Sequence, residues 1–345
     1  MELVARFSPM TPAVSVIIPT HNRMPLLVEA LNSVIGQTFE RWEAIVVDDC
    51  SDPAVDLEFL RKTFGSRVRG IRHPLCRGGA AAKNTGIDAA SAPVVAFLDD
   101  DDLYTPTYLE KALTVLNTFS QIDVLFMGVS WFGKGAKWAE GAYSEAMEAS
   151  LSAAKGKSLG SNLVIFGEEL FPAMLRSVPM AFQRPVVRRG VLRAIGGYHD
   201  NCLLWDCDWA IRAAIYGRTA LLDERLYRQR LDGQNLSSRP NIELDHHLSN
   251  IEIKERLLRS VEKQGHREIA AKLRAAAASA WMSLAYHYSI KGNPSQAVSA
   301  WRTGQRYQVL RKRYVDFTKL ILRALLNQRV RSKQGNTISR FVGVV

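Results

Sequence analysis

The stretch VVAFLDDDDLY, Val94–Tyr104, decides how this chain folds. Five β-branched and apolar residues, Val94 to Leu98, run from Pro93 straight into four consecutive aspartates, Asp99 to Asp102. An apolar run this short, closed by a charge cluster, predicts a strand buried on both faces. The aspartates then lie just past its carboxyl end, where open α/β sheets hold their ligands. Carboxylates crowded together repel and raise one another's pKa. A hard divalent cation, Mg²⁺ or Mn²⁺, relieves that repulsion by taking one or two carboxylates along with the oxygens of a bound diphosphate. The bland reading is a solvated acidic turn that leads into a helix near Pro106. The strand in front of the cluster and the polar loops upstream favour a site.

Upstream, AVSVIIPTHNR predicts a strand over Val14–Ile18, stopped by Pro19, with Thr20, His21, Asn22 and Arg23 in the polar loop after it. Leu27, Leu31, Val34 and Ile35 recur at helical spacing and predict a crossover helix over Met24–Gln37. A second strand, Trp42–Val47, ends in Asp48 and Asp49, with Ser51 and Asp52 beyond. A helix over Asp56–Phe64 and a third strand, Val68–Ile71, follow, and Gly78-Gly79 opens a helix that carries Lys83 and runs to Ala90. Strands alternating with helices on short loops mean a parallel sheet with right-handed crossovers. One carboxyl-end crevice then collects Thr20, His21, Asp49 and the aspartates. The glycines follow the third strand as RGGAAAKNTG, not the first as GxGxxG, which argues against a dinucleotide dehydrogenase; no P-loop is present either.

Downstream, a helix over Pro106–Phe119 and a strand over Val124–Trp131 precede a Gly-, Ala-, Lys- and Ser-rich segment, Phe132–Gly160, that reads as a loop or lid. Pro185–Arg188 reads as an edge strand. In LLWDCDWAIRAAIYG, Asp206 is a helix N-cap candidate. Short strands over Thr219–Leu222 and Leu226–Leu231 complete the first domain. Beyond Pro240 the strand pattern vanishes, and His246–Gln264 and Arg267–Ser289 predict helices. Trp281, Leu284, Ala285, Tyr288, Ala297 and Trp301, with Gly292 in the turn, fall at the positions of a tetratricopeptide-type helical hairpin.

At 345 residues, 47% of them hydrophobic, the chain can bury a core in one large or two modest domains. No apolar run approaches the ~20 residues of a membrane span, and MELVARFSPM lacks the apolar stretch of a signal peptide. Cys50, Cys76, Cys202 and Cys207 form no CxxC pair; they read as ordinary thiols in a reducing compartment, which makes the cytoplasm the default. The net charge of +11 sits in the tail: residues 281–345 hold 12 Lys and Arg against Asp316 alone.

Taken together, VSVIIPTHNR, SVIGQTF, AIVVDDCSD, RGGAAAKNTGI, FLDDDD, IGGY and WDCDWAIR resemble the family 2 glycosyltransferases with the GT-A fold. The ordered set spans roughly residues 13–237. The resemblance implies a Rossmann-like α/β domain over 13–238, with a mainly parallel sheet flanked by helices, an N-terminal tail over 1–12, and an α-helical appendage over 239–345. It further implies inverting transfer of a sugar from a nucleotide-sugar donor, UDP-linked, to a hydroxyl acceptor in cell-surface polysaccharide or glycolipid assembly. On the family's pattern Asp99 contacts the ribose region, Asp101 holds Mn²⁺ or Mg²⁺, and Asp100 is the variable position between them. Pro19, Thr20 and His21, with Arg23 in the same loop, match the nucleotide-binding positions; Asp49 matches the carboxylate that bonds the base edge, and Lys83 lies near the diphosphate. Asp206 matches the catalytic base and Asp208 a structural acid at the helix start.

The chain departs from the pattern twice. Trp205 stands where the family has a glutamate, and suits stacking on a sugar ring or a lipid-linked acceptor. RLDGQNLS places Asp232 where relatives carry a histidine, leaving a metal-ligand role and a structural one both open. A catalytically inactive GT-A-fold scaffold is the alternative reading. A nucleotidyltransferase would need a basic glycine-rich loop after the first strand, where PTHNR offers only Arg23. The basic amphipathic stretch 305–333 reads either as a helix on an anionic membrane surface, at the inner face of the cell membrane, or as a packed helix with a solvated basic face. It carries no nucleic-acid reader motif, so no nucleic acid is expected.

Overall fold

The fold is described from a computed structural model, for residues 11–160, 162–232 and 242–308 together with Lys319 and Leu322. The basic stretch 305–333 therefore lies outside the described residues, apart from 305–308 and those two positions.

Val14–Thr20 (β1) is enclosed on both faces, with Val14, Val16, Ile17 and Ile18 fully buried. Pro19 does not stop the strand; it pairs with Val47 on the neighbouring strand. Met24–Ile35 (α1) carries a proline in its first turn, where the missing N–H would have no helical partner anyway, and buries Leu27, Ala30, Leu31 and Val34 along one stripe. Trp42–Asp48 (β2), Leu57–Phe64 (α2), Val68–Arg72 (β3), Gly79–Ala89 (α3) and Val94–Phe97 (β4) repeat the strand–helix alternation. Asp56 caps α2 by accepting the Phe59 N–H at 2.8 Å. These four strands are all parallel, in the order β3-β2-β1-β4. Helix α3 lies so close to β1 that a Cβ on Gly86 would come within 2.3 Å of the Ile17 side chain, so only glycine fits there.

The second half of the sheet mixes directions. Leu103–Tyr104 (β5), Tyr108–Thr118 (α4), Val124–Phe132 (β6), Ala136–Ala154 (α5), Lys157–Ser158 (β7), Leu163–Ile165 (β8), Leu170–Met174 (α6), a 3₁₀ turn at Met180–Gln183, Pro185–Arg188 (β9), Arg189–Ile195 (α7), Trp205–Tyr216 (α8) and Thr219–Arg230 (β10) follow in turn. The sheet runs on as β4-β9-β6-β10-β8-β7, with β5 paired to β10. Strand β9 is antiparallel to both its neighbours, while β6 and β10 are parallel to each other.

Four expectations are corrected. Pro185–Arg188 is not an edge strand but the central bridge between β4 and β6, with Val186 and Val187 fully buried. Its proline is the first residue of the strand, where a missing N–H is tolerated even inside a sheet. Phe132–Gly160 is no loop: Ala139, Tyr143, Met147, Ser150 and Ala154 bury one face of the 19-residue helix α5. The two short strands near the end are one, β10, broken by a register shift between Leu222 and Tyr227, as at a β-bulge. Cys50 and Cys76 are joined in a disulfide, because the ends of β2 and β3 meet in space, which spacing along the chain does not reveal. Cys202 is buried with its sulfur 3.4 Å from the Ser249 hydroxyl, and Cys207 is half-buried.

The described residues fall into two compact units. One comprises the sheet and its helices; the other is Cys202–Leu204 with the helices Ile242–Lys263 (α9), Arg267–Ile290 (α10) and Pro294–Tyr307 (α11). In the second, Ile251, Ala280, Leu284, Ala285, Ala297 and Ala300 form a core against which Trp281, Tyr288 and Trp301 pack. Gly292, at φ 70°, makes the turn between α10 and α11. Glu255 on α9 anchors both later helices, accepting from Trp281 Nε1 at 2.8 Å and from the Tyr307 hydroxyl at 2.6 Å. No helix among the described residues is long and apolar enough to cross a membrane.

Candidate active site

The aspartates after β4 stand at the carboxyl edge of the sheet, and each has a different environment. Asp100 turns inward, taking the Thr20 hydroxyl at 2.7 Å and Arg23 Nη1 at 3.3 Å; burial pushes its pKa up to about 6. Asp101 pairs with Arg23 at 2.8 Å, and burial together with the charge of Asp99 raises its pKa. Asp102 accepts the Tyr227 hydroxyl and the Arg230 N–H, both at 2.8 Å; burial pushes it up to about 8. Burial also works against the Asp99 carboxylate, yet Lys83 at 2.8 Å and Arg184 at 3.2 Å hold its pKa down to about 2. One run of four like residues is thus split into one firmly ionised carboxylate and three that resist ionising.

Lys83 joins this edge to α8. Its ammonium is almost fully buried, 3.7 Å from Asp206 Oδ1 and 4.1 Å from the centre of the Trp205 ring. Asp206 lies in the first turn of α8, with Arg184 Nη1 3.7 Å from its other oxygen. Burial outweighs both cations and lifts the Asp206 pKa to about 6. Its Oδ1 is buried and accepts no hydrogen bond. Asp208, fully buried, pairs instead with Arg212 one turn on, at 2.9 Å.

Arg184 is the residue that motif reading missed. It is 4% exposed, lies 4.9 Å over the Tyr227 ring, and reaches Asp99, Asp102 and Asp206 together. The signal was register: β9 pairs Val94 with Arg188 and Ala96 with Val186, which, carried two residues further, sets Arg184 opposite Leu98, one residue before Asp99.

On the far side of β1, Asp49 organises the loop before α3. Its Oδ1 takes His73 Nδ1 at 2.7 Å and the Arg77 N–H at 2.9 Å, and its Oδ2 the Gly78 N–H at 2.7 Å. Burial opposes these bonds, but they win and lower the Asp49 pKa. A carboxylate has about four acceptor positions, so one remains on Oδ2. Asp48 is wholly buried and holds the Ser51 N–H, the Val55 N–H and Arg72. His21 and Pro19 border the same crevice edge, His21 exposed and Pro19 half-buried. Asp232 is exposed, two residues past the end of β10.

The donor set suits a hard cation of limited protein ligation. Among the described residues Asp101, Asp232 and the other carboxylates form no convergent trio. Asp101 offers a carboxylate whose raised pKa a cation would relieve, in keeping with an ion that draws most of its ligands from water and phosphate.

The sequence profile described as Glycosyl transferase family 2 matches residues 15–164, the span that builds β1 to β8. The first unit carries a family 2 glycosyltransferase domain of the GT-A fold. The chain is 34% identical over 103 residues to the putative colanic acid biosynthesis glycosyl transferase WcaA of Escherichia coli K12, covering 30% of this chain and 37% of that protein. It is 32% identical over 103 residues to the Escherichia coli UDP-Glc:alpha-D-GlcNAc-diphosphoundecaprenol beta-1,3-glucosyltransferase WfgD, covering 30% and 40%. The chain thus spans about two fifths of the length of these relatives. Among solved GT-A structures, that of Staphylococcus aureus TarS 1-349 with UDP-GlcNAc superposes with a TM-score of 0.57 at 16% identity, over 85% of this chain and 90% of TarS 1-349. The mannosyltransferase PcManGT of Pyrobaculum calidifontis, solved with GDP-Man and Mn²⁺, superposes with a TM-score of 0.50 at 18% identity, over 93% and 88%.

Proposed function

We propose that the chain is an inverting, metal-dependent glycosyltransferase that moves a sugar from a UDP-linked donor to a hydroxyl of a polysaccharide or lipid-linked acceptor. One observation carries the reading: Lys83 and Arg184 bind Asp99 of the donor motif and Asp206 of the acceptor side into a single buried ion group. Asp206, with a pKa of about 6, is ionised at neutral pH yet close enough to its neutral form to accept a proton efficiently. It takes the proton of the acceptor hydroxyl while that oxygen bonds to the anomeric carbon, and the bond to the diphosphate breaks on the opposite face. Thr20, His21, Arg23 and the open position on Asp49 Oδ2 hold the nucleoside, and Asp99 orients the ribose. Asp101, with Asp232, would hold Mn²⁺ or Mg²⁺, whose chemistry is to neutralise the charge leaving with the diphosphate. The Trp205 ring, half-buried beside Lys83, offers an apolar face to the acceptor sugar. UDP chemistry and a lipid-linked acceptor are supported by the names of WfgD and of the TarS complex. Work at the inner face of the cell membrane, with 305–333 on its anionic surface, belongs to the same proposal.

A second reading, an inactive binding protein of the same fold, is favoured by the Arg23–Asp101 ion pair, which occupies the proposed metal ligand. Thermal shift with a panel of nucleoside diphosphates, with and without Mn²⁺, tests the donor side. A Mn²⁺-dependent rise for UDP, lost in Asp101→Ala, is the expected outcome. No shift for any nucleotide would overturn the transferase reading.

A further inference from the structure

Beside the proposed nucleoside pocket lies a group of side chains of which sugar transfer uses His21 alone. Among the described residues, His21, Cys50 and Cys76 are the one trio of His, Cys, Asp or Glu whose ligand atoms all lie within 4.8 Å of one another. They come from three separate loops, after β1, after β2 and before α3. His21 and Cys76 are exposed and Cys50 half-buried, so the group is open to solvent. Cys50 holds its place at φ 60°, a left-handed conformation that favours glycine, and its sulfur meets that of Cys76.

The histidine is already set up as a ligand. Its Nδ1 lies 2.7 Å from the Asp49 carbonyl oxygen, which can only accept, so Nδ1 carries the proton. The lone pair is therefore on Nε2, where it accepts from the Asn22 amide at 3.1 Å, a bond that a metal ion would displace. A second-row bond of this kind, from one ring nitrogen to a backbone carbonyl, is how metal-binding imidazoles are fixed in tautomer and orientation. Two thiolates and one imidazole make a donor set suited to zinc. Zinc–sulfur bonds of ~2.3 Å in a tetrahedron set ligand atoms ~3.8 Å apart, below the 4.8 Å that bounds this trio, a separation the two bonded sulfurs reach only once reduced. The Cys50 and Cys76 Cα atoms are 5.1 Å apart, near enough for either a disulfide or a shared metal.

We propose that in the reduced protein Cys50 Sγ, Cys76 Sγ and His21 Nε2 form a zinc site whose fourth position is open to water, and that the disulfide and the bound metal are alternative states of one site. Reduction by a phosphine breaks the sulfur–sulfur bond and yields two thiols, while the phosphine becomes its oxide with oxygen from water. Zinc then displaces the two thiol protons. Because His21 would be engaged by the metal, zinc would compete with the nucleoside; that consequence rests on the donor-binding reading, whereas zinc binding does not.

The test uses the full chain reduced with a phosphine and passed into phosphine-free buffer. One equivalent of Zn²⁺ retained against a chromogenic chelator is expected, and Co²⁺ in its place should give a thiolate-to-metal charge-transfer band in the near ultraviolet. Both should vanish in the oxidised protein and in Cys76→Ser, which retains Cys202 and Cys207 as internal controls. Should Cys76→Ser fail to fold, the oxidised wild type, identical in sequence, supplies the comparison alone. A reduced wild type without the band, or a band that persists after oxidation or in Cys76→Ser, would overturn the site. Neither readout requires nucleotide, so failure of the donor reading leaves this result standing.

Discussion

The two halves of the sheet reach the same edge by different routes. In β3-β2-β1-β4 every strand runs the same way, so each contributes the residues that follow it, and Thr20, Asp49 and Asp99 all sit directly after apolar runs. In the half beginning at β9 the directions mix, and the edge receives the residue before an antiparallel strand, Arg184, and the start of a helix, Asp206. The parallel half supplies the carboxylates and one buried cation, Lys83; the mixed half supplies a second buried cation, Arg184, that lets them coexist. The chemistry is shared between the halves: Thr20, Asp49, Asp99 and Asp206 can be read from motifs, Arg184 only from pairing.

The sharpest way to break that comparison is to remove one cation from each half. Arg184→Met strands Asp99, Asp102 and Asp206 in a buried site, and uncompensated buried charge costs ~3–5 kcal/mol. Arg23→Met removes a cation that is 33% exposed and whose partners Asp100 and Asp101 can take up a proton in its place, so the loss should be smaller than for Arg184→Met. Urea unfolding of both variants checks the contrast; equal losses would mean that the halves do not differ as described.

Asp206→Asn gives the next effect, on stability. The folded pKa of Asp206, about 6, lies above the ordinary 3.8, so the folded state holds a proton that the unfolded chain has released. The contribution of Asp206 to wild-type stability is therefore greatest below about pH 4 and is lost as pH rises through about 6. Asparagine has no charge to bury, so the variant should gain on wild type by on the order of 3 kcal/mol between about pH 4 and 7. Melting curves across that range measure it, and a pH-independent difference would contradict the burial argument. Trp205→Leu should have the smallest effect, ~1–2 kcal/mol from loss of the ring facing the Lys83 ammonium, read by urea unfolding; a neutral outcome would assign that ring to the acceptor alone.

Much of the first half was legible because buried parallel strands write themselves as apolar runs, unbroken in Val94–Leu98 and interrupted only by Ser15 in Val14–Ile18. The Gly78-Gly79 pair likewise marked the opening of α3, whereas its close approach to β1 at Gly86 shows only in the structure. Helix α5 was missed because its buried face is made of Ala139, Ser150 and Ala154 as much as of Tyr143 and Met147, so small residues mask its period. Strand β9 is four residues long and opens on a proline, leaving nothing in its pattern to distinguish a centre from an edge. Arg184 and the Cys50–Cys76 pair depend on contacts between elements far apart in the chain, which no local pattern encodes.

The most direct test of the central claim is the rate of UDP release from a UDP-sugar by wild type and Asp206→Asn across pH, with UDP binding measured alongside. The account expects a wild-type rate that falls away below about pH 6, and an Asn variant that is slower by ~10²–10⁴-fold yet binds UDP as well as wild type. An Asn variant that turns over like wild type, with the same pH profile, would remove Asp206 from the chemistry and with it the link between the two halves.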